Sequence, residues 1–536
     1  MSRLKRIVSV VSVLALSAAV AACSVGGGGG KNDKPKASAQ SNVYYEIFVR
    51  SFADSNGDGI GDLNGITAKL DYLNDGRPGE GNDLGVDGIW LMPINPSPSY
   101  HGYDVTDYRA VNPDYGTMDD LKKLVSEAHK RGIKVIMDLV VNHTSSENPW
   151  FIDSASGKDS AHRNWYVWAE DSGRETAGSS AAGASEAWHE KNGSHYLGIF
   201  WEGMPDLNFD EPAVRQEIIS VGKFWLEQGV DGFRLDAAKH IYEDLNTDKN
   251  NKTLNKSVAW WSEFKQAMQQ VKPDVYLVGE VWDATARVGP FLKALDSAFN
   301  FDLAGNLIGA AQNESASNLG YTLSRIHEFY NKQSDGKFIE APILSNHDQT
   351  RVMTALKGNL DHAKTAAAML LTMPGKPFIY YGEELGMTGD KPDERIREPF
   401  PWKRAPGDPE ETKWEPATGR GDGSVSVEAE VETPGSLLDR YRTLISWRSQ
   451  DAALRSNVIG EYDADNASVM AYTRGAGEEK RLVLTNLSGK PQTVAIKSSK
   501  ADPTEYAKIA FTTDEKAELK DGQLALPPYS TAVLKP

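Results

Sequence analysis

The 536-residue sequence has a single cysteine, Cys23, so no disulfide can form within the chain and packing must supply its stability. Positive charge is also scarce: 58 Lys and Arg stand against 75 Asp and Glu, a formal net charge of −17. A phosphate backbone needs a concentrated basic face, so nucleic acid is excluded as a partner, and an uncharged ligand suits this surface better. Long apolar runs are missing as well. The one candidate, Ile7–Ala22, falls short of the ~20 residues that a spanning helix needs. What remains is an ordinary globular composition, 40% hydrophobic and 25% charged, long enough for roughly two to four domains.

Arg3, Lys5 and Arg6 precede that apolar run, which predicts a secretory signal over residues 1–22. The run ends in V-A-A-C, Val20–Cys23, which resembles the lipobox of bacterial lipoproteins, where the cysteine is lipidated and becomes the first mature residue. A plain signal peptide with a chance cysteine is the other reading. Gly26–Gly30 and the polar stretch after it predict a lipid-anchored flexible linker over 23–41. The protein is therefore expected outside the cytoplasm, anchored to the membrane through Cys23 or released.

From Val43 onward, short apolar runs alternate with helical patterns. Expected strands are Val43–Arg50, Gly88–Pro93, Lys134–Val141, Gly232–Ala237, Val275–Val281, Phe299–Leu303, Ala341–Ser345 and Pro377–Tyr381. Between them lie amphipathic stretches such as Thr117–Arg131, with Thr117 as N-cap and Asp119 and Asp120 in the first turn. Eight such units predict an α/β fold, a (β/α)8 TIM barrel. The connection after the third strand is too long for one helix and predicts an inserted subdomain, rich in Trp, Gly and Ser. After a helix at Leu437–Ser449, alternating runs at Lys480–Asn486, Thr493–Lys497 and Leu524–Leu534 predict a C-terminal antiparallel β-sandwich. The expected boundaries are 42–143 and 207–456 for the barrel, 144–206 for the insertion and 457–536 for the sandwich.

Four segments fall at the C-terminal ends of expected barrel strands, where such barrels carry their active sites. They are D-L-V-V-N-H (Asp138–His143), G-F-R-L-D-A-A-K-H (Gly232–His240), G-E-V-W (Gly279–Trp282) and S-N-H-D (Ser345–Asp348). Together they deliver carboxylates, imidazoles and a guanidinium to one rim, and paired carboxylates serve acid/base and glycosyl-transfer chemistry. Arg234, two residues before Asp236 on one strand, shares its face and is expected to keep it ionised. In this order the four segments resemble the signature regions of the α-amylase family of glycoside hydrolases, family thirteen. M-P-D-L-N at Met204–Asn208 resembles a fifth region, as found in the group intermediate between neopullulanases and oligo-1,6-glucosidases. H-G-Y at His101–Tyr103 extends the likeness.

The resemblance implies retaining hydrolysis of α-1,4-glucan, with Asp236 as nucleophile, Glu280 as acid and base, and Asp348 binding sugar hydroxyls. It implies sugar contacts from Tyr103, His143, Arg234, His347, Lys239 and His240. Asp393 and Arg397 would hold the glucose one subsite out, an i,i+4 ion pair being the other reading. Asp138 is expected to buttress the barrel. About half of Trp150, Trp165, Trp168, Trp188 and Trp201 should form the insertion's core.

The run Asp54–Asp62 sets oxygen ligands on alternate residues around Gly59, as hard-cation loops do, although Gly65 stands where an EF-hand has its closing Glu. Similar family loops bind calcium, which would give Asp54, Asn56, Asp58, Asp62 and the Ile60 carbonyl as Ca2+ ligands; a plain Asx-turn loop is the alternative. Asn142, Asp206 and the His240 carbonyl match a second calcium position. A monomer acting on starch or maltooligosaccharides is expected. An α-glucosidase, neopullulanase-like or transglycosylating relative remains open, as does a non-catalytic surface starch-binding lipoprotein.

Overall fold

A computed structural model describes residues 40–77, 82–181, 186–242, 251–316, 318–405, 407–420, 422–498 and 502–536. The chain divides into two units, Met1–Ala37 and Ser38–Pro536. The expected signal, Cys23 and most of the linker lie outside the described residues. Ser41, expected as the linker's last residue, instead belongs to the folded body. It is buried and its hydroxyl donates to Asp87 at 2.7 Å.

Among the described residues, nine strands precede the C-terminal domain: β1 (Tyr44–Ile47), β2 (Gly88–Leu91), β3 (Lys134–Leu139), β4 (Trp188–Lys191), β5 (Ser194–Leu197), β6 (Gly232–Leu235), β7 (Tyr276–Gly279), β8 (Ser297–Ala298) and β9 (Phe378–Tyr380). Seven of them form one parallel sheet in the order β8-β7-β6-β3-β2-β1-β9. Residues of β1, β2, β6 and β7 are buried throughout, because helices cover one face and the barrel interior fills the other. Gly232 opens β6, where a Cβ would lie 2.0 Å from the Tyr276 carbonyl oxygen. Only glycine lets β6 and β7 pair at that point.

The seventh stave in chain order differs from expectation. Ala341–Ser345 forms no regular strand; Ala341 makes a single parallel bridge to Phe299, and the Phe378 N–H reaches the Pro342 carbonyl at 2.9 Å. Pro342 has no N–H to give, so no ladder extends there, yet its carbonyl still links the two edges of the sheet. The expected strand Phe299–Leu303 is also corrected. The Asn300 side chain accepts from the Leu303 N–H and caps a helix, Phe301–Asn313, so the strand ends at Ala298.

Helix Met118–Lys130 follows its sequence signals: Thr117 and Asp120 form a reciprocal capping box, and Leu121, Leu124, Val125 and Ala128 are buried. Between β3 and β6 lie helix Pro149–Ser156 and the antiparallel pair β4–β5. Trp168 and Trp188 are buried there, while Trp201 is exposed.

The C-terminal domain contains β10 (Ile459–Glu461), β11 (Val469–Arg474), β12 (Arg481–Asn486), β13 (Gln492–Ala495), β14 (Lys508–Thr512), β15 (Glu518–Lys520), β16 (Gln523–Leu526) and β17 (Thr531–Lys535). They form two antiparallel sheets, β10-β11-β12-β17-β14 and β13-β16-β15, around a shared apolar cluster. The expected single strand Leu524–Leu534 is two. Pro527 and Pro528 cannot donate to a ladder, so the chain leaves one sheet and β17 joins the other. Buried Arg474 ties this domain to the barrel by donating to the carbonyls of Thr372, Leu454, Val458 and Ser456. No helix among the described residues is long and apolar enough to cross a membrane.

Candidate active site

At the C-terminal ends of the barrel strands the charges converge on Arg234, which is fully buried on β6. Its Nη1 donates to Asp138 Oδ1 at 2.7 Å and to Asp236 Oδ1 at 2.5 Å. Its Nη2 lies 2.9 Å from Glu280 Oε2. Asp138 Oδ2 accepts from Trp90 Nε1 at 2.9 Å and from the Tyr103 hydroxyl at 3.1 Å. Every Asp138 oxygen is thus engaged inside the protein. Burial lifts its pKa to about 7 against the pull of Arg234, and it acts as a buttress that orients Arg234 and Tyr103.

Asp236 and Glu280 occupy adjacent strand ends, and the Ala237 N–H donates to Glu280 Oε2 at 2.9 Å. To aim that N–H, Ala237 adopts φ 46°, a left-handed conformation that costs a side-chain-bearing residue about 1–2 kcal/mol. Burial raises the Glu280 pKa; Arg234 opposes this, while Asp236 and Asp348 add to it. Burial raises Asp236 too, so Arg234 offsets rather than abolishes the desolvation that sequence spacing alone ignores. Asp348 is the opposite case. Burial would raise it, but His347 and Arg397 hold it well below the usual carboxylate range.

His347 bridges two acids, with Nδ1 2.6 Å from Glu46 Oε1 and Nε2 3.1 Å from Asp348 Oδ2. Burial would lower its pKa, yet Asp348 and Glu46 raise it to about 9, so the imidazolium is stable at neutral pH. Tyr103 stacks on this ring at 5.4 Å and 13°. Glu46 was missed by sequence reasoning; its only signal is a carboxylate inside the buried strand Y-Y-E-I.

This constellation can attack an anomeric carbon, protonate a leaving oxygen and stabilise positive charge between them. Residues 46–457 match the family model described as the α-amylase catalytic domain. The chain belongs to the α-amylase family of glycoside hydrolases. Residues 469–533 match the C-terminal domain of the α-amylase SusG. Alpha-amylase 3 of Dictyoglomus thermophilum is 41% identical over 92% of this chain and 93% of its own length. An oligo-1,6-glucosidase of Parageobacillus thermoglucosidasius is 34% identical over 92% and 98%. The crystal structure of the alpha-amylase from H. orenii superposes with a TM-score of 0.84 at 44% identity, covering 93% of this chain and 99% of that one.

The outer residues of this α-amylase-family site fall on two sides. On the Asp348 side, Arg397 is buried and its Nη2 donates to Asp348 Oδ1 at 2.9 Å and to Asp393 Oδ2 at 3.3 Å. Asp393 and Arg397 thus form an i,i+4 ion pair whose guanidinium also reaches Asp348. On the Glu280 side, Lys239 Nζ donates to the Trp282 carbonyl at 2.6 Å, and His240 packs edge-on against Phe200 at 5.6 Å. Trp282 is 48% exposed and stacks on Phe301 at 4.3 Å and 7°. An exposed tryptophan two residues after the acid was a signal that sequence reasoning left unused. His143 is buried, with Nε2 3.1 Å from the Tyr103 carbonyl. Burial lowers its pKa to about 4, so it is a neutral imidazole that holds the Tyr103 backbone.

In the Asp54–Asp62 loop, Asp54 accepts the N–H groups of Asn56, Gly57 and Gly59. Asn56 accepts from Asp58 and Asp58 from Ile60, so the loop is a chain of Asx turns. Asp62 accepts from Ser55 and Gly65, which caps helix Leu63–Ala68. The donor set is all oxygen, which suits a hard cation. Among the described residues, however, no three Asp, Glu, His or Cys side chains gather as a metal-holding group. Asn56 and the Ile60 carbonyl would have to complete the shell. At the second expected position, Asn142 Nδ2 lies 3.4 Å from Asp206 Oδ1, and both residues line one cavity of about 420 Å3 with His240.

Proposed function

We propose that the enzyme hydrolyses α-1,4-glucan internally with retention of configuration, using Asp236 as nucleophile, Glu280 as acid and base, and Asp348 as stabiliser. One observation carries this: Asp236 and Glu280 share a single buried guanidinium, Arg234, while Asp348 is held ionised by His347 and Arg397. Sharing one fork favours the close carboxyl spacing of retaining enzymes, about 5–5.5 Å, over the roughly 6.5–9.5 Å of inverting ones. Asp236 would bond the anomeric carbon as the glycosidic C–O bond breaks and the Glu280 proton passes to the leaving oxygen. Glu280 would then take a proton from water, whose oxygen displaces Asp236.

Ala237 and the Lys239–His240 pair resemble α-1,4-acting amylases, and the likeness to Dictyoglomus Alpha-amylase 3 supports the same side. The oligo-1,6-glucosidase relative and the M-P-D-L-N segment, shared with the intermediate group, support the second reading of α-1,6-acting or transglycosylating activity. Products from starch, maltotriose, pullulan and isomaltose decide between them. Mixed maltooligosaccharides from starch with isomaltose untouched are expected; glucose released from isomaltose would move the enzyme to the second reading. Starch bound without new reducing ends would favour the surface-binding alternative. We further propose a monomer held outside the cytoplasm through Cys23, and calcium at the Asp54–Asp62 loop as a structural ion.

A further inference from the structure

We infer that Tyr100 and Trp414 form an aromatic platform that binds one more glucose beyond Asp393 and Arg397, and so sets the enzyme's preference for longer chains. The inference rests on the α-1,4-glucan reading above. Glu280 protonates the leaving oxygen, so the leaving part of the glucan lies on the side of Lys239 and Trp282. The retained, non-reducing part lies on the side of Asp348, Arg397 and Asp393.

On that side, the Arg397 guanidinium carbon sits 5.8 Å from the Tyr100 ring centroid. Glu394, next to Asp393, lies beside the Tyr100 hydroxyl. Trp414 stacks on Tyr100 at 5.2 Å and 21°, and both residues are only half-buried, so each keeps part of its surface open. The pair is rigidly held. Trp414 Nε1 donates to Ser51 Oγ at 2.8 Å, and Ser51 Oγ donates to the Arg397 carbonyl at 2.5 Å. Phe48, fully buried, packs edge-on against Trp414 at 5.7 Å and 86° and against Tyr100 at 6.5 Å and 74°. The backbone beside Trp414 is pinned as well, since the Lys413 N–H donates to the Gly59 carbonyl at 2.7 Å.

A glucose ring has an apolar C–H face that gains by covering an aromatic ring, and a preformed ring loses little freedom on binding. Two rings locked to the backbone of Arg397 provide that surface one sugar beyond the residues that hold the ring next to the cleavage point.

The test compares kcat/KM on maltoheptaose and on p-nitrophenyl α-maltoside for wild type, Tyr100→Leu, Trp414→Leu and Trp414→Phe, together with the cleavage pattern of maltoheptaose. The leucine variants should lose about ten-fold on maltoheptaose and less than about two-fold on the maltoside, with the cut site displaced; Trp414→Phe should retain most of the rate. Equal loss on both substrates would show a merely structural role, and faster cleavage of long chains would show a wall that ends the cleft. Either result overturns the inference. If Trp414→Leu does not fold, Tyr100→Leu carries the comparison. A wild type inactive on all maltooligosaccharides would instead sink the glucan reading beneath it.

Discussion

Arg234 holds three carboxylates, Asp138, Asp236 and Glu280, whose surroundings part their duties, and single substitutions can separate them. Asp236→Asn keeps the shape of the cleft and removes the charge that must bond the anomeric carbon. Turnover should fall by roughly 10³-fold or more while maltooligosaccharide affinity stays within a few-fold of wild type. Activity near the wild-type level would show that the wrong carboxylate has been named. Elsewhere, Glu383 is buried; its Oε1 accepts from the Tyr441 hydroxyl at 2.7 Å, and its Oε2 has no partner. Burial pushes its pKa from 4.5 up to about 8, the Tyr441 hydrogen bond opposing and neighbouring Glu384 adding. Between those values the unfolded chain has shed a proton that the folded chain keeps. Stability therefore falls as pH rises through that window, by about 1.4 kcal/mol for each pH unit. Glu383→Gln should raise the melting temperature at pH 8 and leave it nearly unchanged at pH 4. An equal shift at both pH values would mean that the glutamate's ionisation plays no part.

At the level of elements, local chemistry was readable wherever it was spelled in neighbouring residues. Thr117 and Asp120 announced their helix, and the buried runs of β1, β2, β6 and β7 announced parallel strands. Errors came where a neighbour supplied the decisive bond. Asn300 turns an apolar run into a helix, Pro342 breaks the seventh stave, and Pro527–Pro528 passes the chain between two sheets. The Asp54–Asp62 loop sits between these cases, since its alternating oxygens serve Asx turns and a hard cation equally well. Its carbonyl at Gly59 and the Asp54 N–H also hold the segment that carries Glu410 and Lys413. A native-state cation should therefore stabilise the fold by mass action. Chelator is expected to lower the melting temperature by several degrees, calcium to restore it, and Asp58→Ala to abolish the response. A melting temperature indifferent to both would make the loop a plain turn.

For the whole molecule, the barrel, its insertion and the C-terminal sandwich were readable from periodicity and turn residues. Short segments at expected strand ends singled out Asp236, Glu280 and Asp348, which the folded chain gathers around Arg234, His347 and Arg397. Glu46, Tyr100 and Trp414 were not singled out. Glu46 hides in an apolar strand, and Trp414 lies in a long stretch between short helices whose path over the Asp54 loop only the folded chain reveals. The site is therefore assembled from positions far apart in sequence, with Arg234 as its hub. That hub makes one outcome decisive: if Asp236 forms a covalent bond to the sugar, two successive inversions restore the starting configuration. Fresh hydrolysis of maltoheptaose or starch followed by proton NMR should show the α-anomer of the new reducing end first, with the β-anomer growing only by mutarotation. Initial release of the β-anomer would contradict the account.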